Sequence, residues 1–127
     1  MSEYKYFKDA EFRKCSPSCS IDDMDEGFMR LLDGIRGVAG IPLVLNSAYR
    51  SPEHEKKMGR SGTSSHCKRC AVDIRCNTLA NRDRIVRAAM ACGITRIGIA
   101  PTYIHIDADR EKSQNVIWIY DRQGNQL

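Results

Sequence analysis

Residues 103–107 read Tyr-Ile-His-Ile-Asp, so that apolar and polar side chains alternate. Successive side chains of a β-strand point to opposite faces of a sheet, which places Ile104 and Ile106 on one face and His105 and Asp107 on the other. Isoleucine belongs in a core, whereas a buried imidazole or carboxylate needs a partner. The segment therefore predicts a strand with one face on the hydrophobic core and the other in a polar cleft.

The remaining sequence predicts helices and strands in mixed order. Residues 71–74 read Ala-Val-Asp-Ile and predict a second strand with Asp73 between apolar neighbours. Further strands are predicted at 43–45, 97–99 and 116–120, and short helices at 4–14 (or a strap) and 52–58. One longer helix is predicted from an N-cap at Asp22 or Asp23 to Gly37 or Gly40, with Met24, Phe28, Leu31, Leu32, Ile35 and Val38 on its apolar face. A second is predicted from Asn77 or Thr78 to Gly93, with Ile85, Val86, Ala89 and Met90 inward.

This order predicts an α+β fold, in which a mainly antiparallel sheet packs with two longer helices. The chain has 127 residues, enough to bury a core without disulfides. We expect a single domain over residues 1–127, with a core at about 7–120 and a loose tail at 121–127. Nothing in the sequence suggests more than a monomer.

Charge and hydropathy exclude several classes of function. The net charge is +4, and the basic residues are scattered without interleaved aromatics, so nucleic-acid binding is not expected. No apolar run approaches the ~20 residues of a membrane span. The first residues lack the apolar region of a signal peptide, so we expect synthesis in the cytoplasm without export by that route.

Two of the three histidines, His66 and His105, combine with Asp73 into a set of metal-ligand residues. Two neutral imidazoles and one carboxylate suit Zn²⁺, and a fourth position left to water would make the site catalytic. The six cysteines offer a different site, because Cys15, Cys19, Cys67 and Cys70 could form a structural zinc knot. Free thiols, some of them buried, are the simpler expectation.

Three ordered blocks carry a resemblance to a known family. Ser64-x-His66-x6-Asp73 follows a segment 47–54 that reads Ser-Ala-Tyr-Arg-Ser-Pro-Glu-His, and it precedes His105-x-Asp107. This arrangement resembles the zinc D-alanyl-D-alanine carboxypeptidase family, in its branch of small cell-wall carboxypeptidases and phage endolysins. The likeness runs from about residue 7 to 118. It implies the α+β fold shared by hedgehog domains and DD-peptidases.

The resemblance also implies roles for individual residues. His66, Asp73 and His105 would hold Zn²⁺, Arg50 would contact the substrate and stabilise the oxyanion, and Ser64 would line the substrate site. From the residues alone, Arg50 could instead form a surface salt bridge with Glu53 or Glu55. His54 is expected to cap or pack a helix rather than bind metal.

The sequence departs from the family pattern at two positions. Thr102 occupies the usual position of the general base, three residues before the last histidine, and it cannot serve as one. Asp107 is the substitute candidate, although it could equally orient an imidazole from behind. Arg69 and then Cys70 stand where a glycine is usual three residues after the first ligand, which affects the local loop geometry.

The sequence thus predicts a zinc metallopeptidase that hydrolyses peptide bonds of the bacterial cell-wall stem peptide, as a D,D-carboxypeptidase or an endopeptidase. Such a chain without a signal peptide would suit a phage or prophage protein released at lysis, or a bacterial protein exported by another route. The alternatives are a non-catalytic zinc-binding module on the same fold and a protein with a cysteine-ligated structural zinc.

Overall fold

The computed structural model describes residues 4–127, which form a five-stranded sheet with helices packed against it. The helices are α1 (Asp9–Arg13), α2 (Glu26–Ala39), α3 (Pro52–Lys57) and α4 (Leu79–Ala91), and a 3₁₀ turn spans Ile21–Asp23. The strands are β1 (Leu45–Ser47), β2 (Ala71–Arg75), β3 (Arg96–Ile99), β4 (Tyr103–Asp107) and β5 (Val116–Ile119). The α+β class, the mainly antiparallel sheet and the two longer helices are confirmed.

The sheet has the order β1-β2-β4-β3-β5. All neighbouring strands are antiparallel except β3 and β5, which run parallel. The central strand β4 pairs Asp73 of β2 with His105 and Ile74 with Ile104. With this register, Asp73, His105 and Asp107 lie on one face of the sheet, and the isoleucines lie on the other face, in the core.

The hydrophobic core lies between the sheet and helices α2 and α4. Ile74, Ile97, Ile104 and Ile106 are almost completely buried on the inner face of the sheet. They join one cluster with residues from both helices, including Phe28, Met29, Leu32, Ile35, Ile85, Ala88 and Ala89. The sheet is therefore anchored from one side, which leaves its other face for a site.

Local signals account for the ends of the helices. Thr78 caps α4 by accepting a hydrogen bond from the backbone of Asn81. It is one of the two residues predicted for this cap. Gly40 ends α2 in a left-handed conformation (φ 69°) that glycine adopts without steric cost. The predicted cap of α2 is wrong, because Asp25 rather than Asp22 or Asp23 accepts from the backbone of Phe28.

Other boundaries also differ from the prediction. The first strand starts at Leu45 instead of Leu43, and β5 ends at Ile119. Val38 and Met90 were expected to face inward, but they are exposed by 62% and 48%. Both lie at the C-terminal ends of their helices.

Residues 121–127 are largely exposed but make a defined turn. Asp121 accepts hydrogen bonds from the backbone of Gln123 and Asn125, and the Leu127 amide donates to the Ile119 carbonyl. The predicted loose tail thus folds back beside β5 and contributes to one end of a cavity. Within residues 4–127, no helix is long and apolar enough to cross a membrane.

Candidate metal centre

His66, Asp73 and His105 converge on the polar face of the sheet. Their donor atoms all lie within 4.8 Å of one another, and they are the only such group of three or more potential ligands within residues 4–127. Asp73 is placed by β2 and His105 by β4, directly opposite each other in the register. His66 is delivered by the loop before β2 and is buried. The structure therefore assembles the predicted triad.

The hydrogen bonds of each imidazole fix which nitrogen faces the centre. His66 Nδ1 lies 2.7 Å from the Ala48 carbonyl oxygen, which can only accept, so Nδ1 carries the hydrogen. Its Nε2 is then free to face Asp73 Oδ1 at 3.4 Å. His105 Nε2 donates to Asp107 Oδ2 at 2.7 Å, and its Nδ1 faces Asp73 Oδ1 at 2.9 Å.

This arrangement aims two imidazole lone pairs and a carboxylate oxygen at one point. Such a set repels itself unless a cation neutralises it, either a proton on His105 or a metal ion. Burial opposes charge on His105, but its hydrogen bonds to Asp107 and Asp73 outweigh that cost and raise the pKa of the imidazole. Burial likewise opposes charge on Asp73, yet the bonds to His105 and His66 hold its pKa well below the usual range. The donor set fits Zn²⁺, which prefers nitrogen and carboxylate ligands in this number.

Asp107 lies behind His105 and is 1% exposed. One of its oxygens accepts from His105, and the other accepts from Arg96 Nε at 2.7 Å and from the Asp109 backbone at 3.0 Å. Both oxygens therefore accept hydrogen bonds from neighbouring residues, and Asp107 also contributes to the lining of the cavity over the triad. Burial would raise the pKa of Asp107, but the hydrogen bond and charge of His105 and the bonds from Asp109 and Arg96 lower it.

Arg50 lies in the wall of the cavity and is tied to the triad. Its Nη2 donates to Asp73 Oδ2 at 3.0 Å, its Nε to Ser47 Oγ at 2.8 Å and its Nη1 to Glu55 Oε1 at 3.3 Å. The salt bridge with Glu55 considered from the sequence is present, but Glu55 is completely buried. Arg50 thus bridges that buried carboxylate and a metal-ligand candidate.

Ser64 and Arg60 complete the surroundings of Glu55. Ser64 Oγ donates to Glu55 Oε1 at 2.9 Å, and Arg60 Nη1 donates to Oε2 at 2.7 Å. A charged residue is almost never fully buried unless it is paired, and here two guanidiniums and a hydroxyl pair with it. Ser64 lines the cavity and helps to hold Glu55 in place, whereas its role in a substrate site stays a prediction.

An open cavity of about 410 Å³ lies over the triad. Charged and hydroxyl groups in its lining include Arg50, Glu55, Arg60 and the two serines before His66. The lining also has aromatic rings, from Tyr103, Trp118 and Tyr120. Lys112 contributes from the segment between β4 and β5, and Gln126 from the tail after β5. The cavity is open to solvent and lined mainly by polar groups.

The two departures from the family pattern have structural explanations. Thr102 is exposed in the turn before β4 and contacts the sheet through its carbonyl oxygen, which accepts from Cys76. Arg69 adopts a left-handed conformation (φ 69°), which explains a preference for glycine there. Its guanidinium lies over the Tyr49 ring at 4.7 Å and donates to the Asp23 carbonyl. These contacts offset the strain of the non-glycine residue.

The cysteine-ligated alternative is not supported by the positions of the thiols. Cys15 and Cys19 are buried in the hydrophobic core, whereas Cys67 and Cys70 are half-buried near the loop that carries His66. All are free thiols, and no group of three converging donors within residues 4–127 includes one of them. His54 is likewise outside the triad, on α3, where its backbone donates to the capping Ser51.

The sequence interpretation missed Arg96, Gly98, Trp118 and the Ala48 carbonyl. A glycine inside a strand often marks a close approach, so Gly98 carried a signal. Arg96 and Trp118 could not be found without the sheet order, which brings β5 beside β3.

A protein-family model described as Peptidase M15 matches residues 5–107 of the chain. This range contains the whole triad, Arg50, Ser64 and Asp107, and it ends at the last residue of β4. No curated protein and no solved structure matches the chain. With most of its length matched, and with three potential metal ligands brought together within the matched range, this chain belongs to the Peptidase M15 family of zinc peptidases.

Proposed function

We propose that this protein is a zinc-dependent peptidase that hydrolyses peptide bonds of the bacterial cell-wall stem peptide. The observation that supports it most directly is the convergence of His66 Nε2, Asp73 Oδ1 and His105 Nδ1 on the floor of an open cavity. Zn²⁺ held there would supply a water of pKa about 7 and a Lewis acid for the scissile carbonyl. Family membership supports the same chemistry.

The residues around the triad would hold its geometry. Ala48 and Asp107 fix the two imidazoles through the nitrogens that point away from the centre. Arg50 fixes Asp73 through the carboxylate oxygen that does not face the histidines. Such outer contacts set ring orientation and ligand basicity in zinc sites.

Arg50 is also the candidate for substrate contact. A guanidinium has five N–H donors, and the three bonds to Ser47, Glu55 and Asp73 leave capacity for a substrate oxygen. A fixed cation beside the scissile carbonyl would stabilise the negative charge that develops on its oxygen. Arg60, which is paired with the buried Glu55, and Lys112, which is paired with Asp109, also line the cavity, and their remaining N–H donors would suit the free carboxylates of stem peptides.

Asp107 is assigned the orienting role rather than that of general base. Both of its oxygens are occupied, and it lies on the far side of His105 from Asp73. The enclosed Asp107 and the exposed Thr102 together favour a second candidate function, a non-catalytic zinc-binding module on the peptidase fold. For the peptidase, the cell wall would be the site of action, reached by release at lysis if a phage or prophage encodes the protein.

Zinc content and hydrolysis, measured together, test the proposal. Wild type, His66→Ala and His105→Ala would be purified, assayed for zinc and incubated with purified peptidoglycan, and released peptides would be identified by mass spectrometry. We expect one zinc per wild-type chain, with loss of zinc and of peptide release in both variants. Zinc retained by both variants would refute the metal site. Zinc lost in the variants without hydrolysis by the wild type would establish the non-catalytic module.

A further inference from the structure

Four residues form a row across the polar face of the sheet. The register pairs Asp73 with His105, His105 with Gly98, and Gly98 with Trp118. The row therefore runs from one metal-ligand candidate through a second to a glycine and then to the only tryptophan of the chain. Gly98 leaves a gap in this row, where any other residue would place a side chain.

The indole of Trp118 fills this gap. A Cβ built on Gly98 would lie 2.5 Å from Trp118 Nε1 and 2.6 Å from Tyr120 Cε2, closer than atoms can approach. Because Gly98 has no side chain, the indole lies over its backbone and reaches the next residue in the row. The ring centroids of Trp118 and His105 are 5.5 Å apart, within the range of an aromatic contact.

Arg96 connects the same indole to the carboxylate behind His105. Its guanidinium lies over the Trp118 ring at 4.9 Å, and its Nε donates to Asp107 Oδ1 at 2.7 Å. Its Nη1 donates to the Ser113 carbonyl at 2.6 Å, so that the guanidinium is held by a third contact. Asp107 in turn accepts from His105, so the contacts close into a ring that begins and ends at the imidazole.

We propose that Arg96, Gly98 and Trp118 form a positioning frame that sets the ring plane of His105 for metal binding. Asp107 accepts a single hydrogen bond from His105 Nε2, and the angular tolerance of one such bond still allows the ring to tilt about its Cβ–Cγ bond. The indole packs against the imidazole and restricts this rotation, while Arg96 holds both the indole and Asp107. The frame thereby keeps the Nδ1 lone pair directed at Asp73.

This frame extends the site beyond the part of the chain that the family model covers. The matched range ends at residue 107, whereas Trp118 and the Ser113 carbonyl lie after it. The inference rests on the proposed zinc site. In this inference β5, which lies outside the matched range, helps to orient His105, a metal-ligand candidate that belongs to β4.

Zinc affinity of matched variants tests the frame without a hydrolysis assay. Trp118→Leu keeps apolar volume but removes the ring, Trp118→Phe keeps a ring, and Gly98→Ala displaces the indole. Ile117→Ala is the control, since Ile117 lies on the opposite face of β5 and is 54% exposed. Dissociation constants would come from competition with a fluorescent chelator, after circular dichroism has shown that each variant is folded.

We expect Trp118→Leu and Gly98→Ala to weaken zinc binding at least about tenfold, the effect typical of lost outer contacts in metal sites. Trp118→Phe should stay much closer to wild type, and Ile117→Ala should match it. Folded Trp118→Leu and Gly98→Ala proteins that both bind zinc as tightly as wild type would overturn the frame. Equal zinc binding by wild type and His66→Ala would instead refute the zinc site itself, so the two failures are distinguishable.

Tryptophan fluorescence gives a second readout, because Trp118 is the only source of indole emission. Zinc added to the apo wild type should change this emission, since the metal acts on the neighbouring imidazole. The same addition to His66→Ala should leave it unchanged. In Gly98→Ala the emission maximum should shift to longer wavelength as the indole moves into water. An unshifted maximum in that variant would show that the gap at Gly98 does not place the indole, and would overturn the proposal.

Discussion

Replacing Asp107 by alanine should destabilise the metal-free protein strongly. The change removes the acceptor of three charge-assisted hydrogen bonds, from His105 and Arg96 at 2.7 Å and from the Asp109 backbone at 3.0 Å. Each such bond contributes about 1.5–3 kcal/mol. The larger effect is that the Arg96 guanidinium, in a residue only 9% exposed, keeps its charge without the carboxylate. Breaking a buried ion pair from one side costs about 3–5 kcal/mol, and we expect a loss of this size in the free energy of unfolding.

A double-mutant cycle separates the ion pair from the packing around it. Urea denaturation in the presence of a chelator would be measured for wild type, Asp107→Ala, Arg96→Met and the double variant. Because the double variant has no unpaired buried charge, its loss should be smaller than the sum of the two single losses by about 2 kcal/mol. Additive losses, or a loss below about 1 kcal/mol in Asp107→Ala, would refute the description of Asp107 as the partner of a buried cation.

The same variant distinguishes the two roles of Asp107. If Asp107 orients His105, its removal should weaken zinc binding by about 10–100-fold in the folded fraction. If it were the general base, zinc affinity would be retained and only peptide release would be lost. The zinc dissociation constant would be measured by competition with a chelator, without urea and at a temperature at which the variant is folded.

Three further predictions follow from the electrostatics and the backbone. Burial opposes charge on Glu55, but the bonds from Arg60 and Ser64 and the charge of Arg50 lower the pKa of its carboxyl below the usual range of a glutamate. The stabilising effect of this carboxylate is therefore present above its unfolded-state pKa and is lost as pH falls through the lowered folded-state pKa. In urea titrations, the difference in unfolding free energy between wild type and Glu55→Gln should shrink as the solution is acidified from neutral pH, and a constant difference would contradict this. Because the pKa of His105 is raised, a proton competes with zinc for this imidazole. Below that pKa, the apparent zinc affinity measured by chelator competition should fall about tenfold per pH unit. An affinity that does not change with pH would count against the site. Gly40→Ala should lower the free energy of unfolding by about 1–2 kcal/mol, because Gly40 has a left-handed φ. Gly34→Ala should raise it by about 0.5–1 kcal/mol, because Gly34 lies inside α2 and nothing lies within 4 Å of the added Cβ. Thermal denaturation measures both effects.

The sequence sufficed for the strands that carry the site because each one encodes its two faces. In β4 the alternation of isoleucine with His105 and Asp107 determines the strand, the buried face and the polar face together. The helix α4 could be placed because Thr78 is a strong capping residue. The grouping of the triad depended on order along the chain and on the family resemblance, since spacing alone does not reveal which strands are neighbours.

Other features depended on tertiary structure that no local pattern contains. Asp25 replaces Asp22 and Asp23 as the cap of α2 because Ser20 caps a separate 3₁₀ turn, and Met24 is extended after it. The contact of Trp118 with His105 requires β5 to add parallel to β3, on the far side of β4 from β2. The sequence alone does not reveal that β3 and β5 are neighbours in the sheet.

The alternation in β4 also governs which changes of length this chain can accept. A deletion of one residue within 103–107 would shift the register by one position and exchange the two faces of the strand. His105 and Asp107 would then enter the space of Ile104 and Ile106, both completely buried, and the isoleucines would face the cavity. Substitutions can alter the site and the core separately, whereas an insertion or deletion in this strand destroys both at once. We therefore expect changes in length to be tolerated in the loops, such as the serine- and glycine-rich segment before His66, rather than in β4.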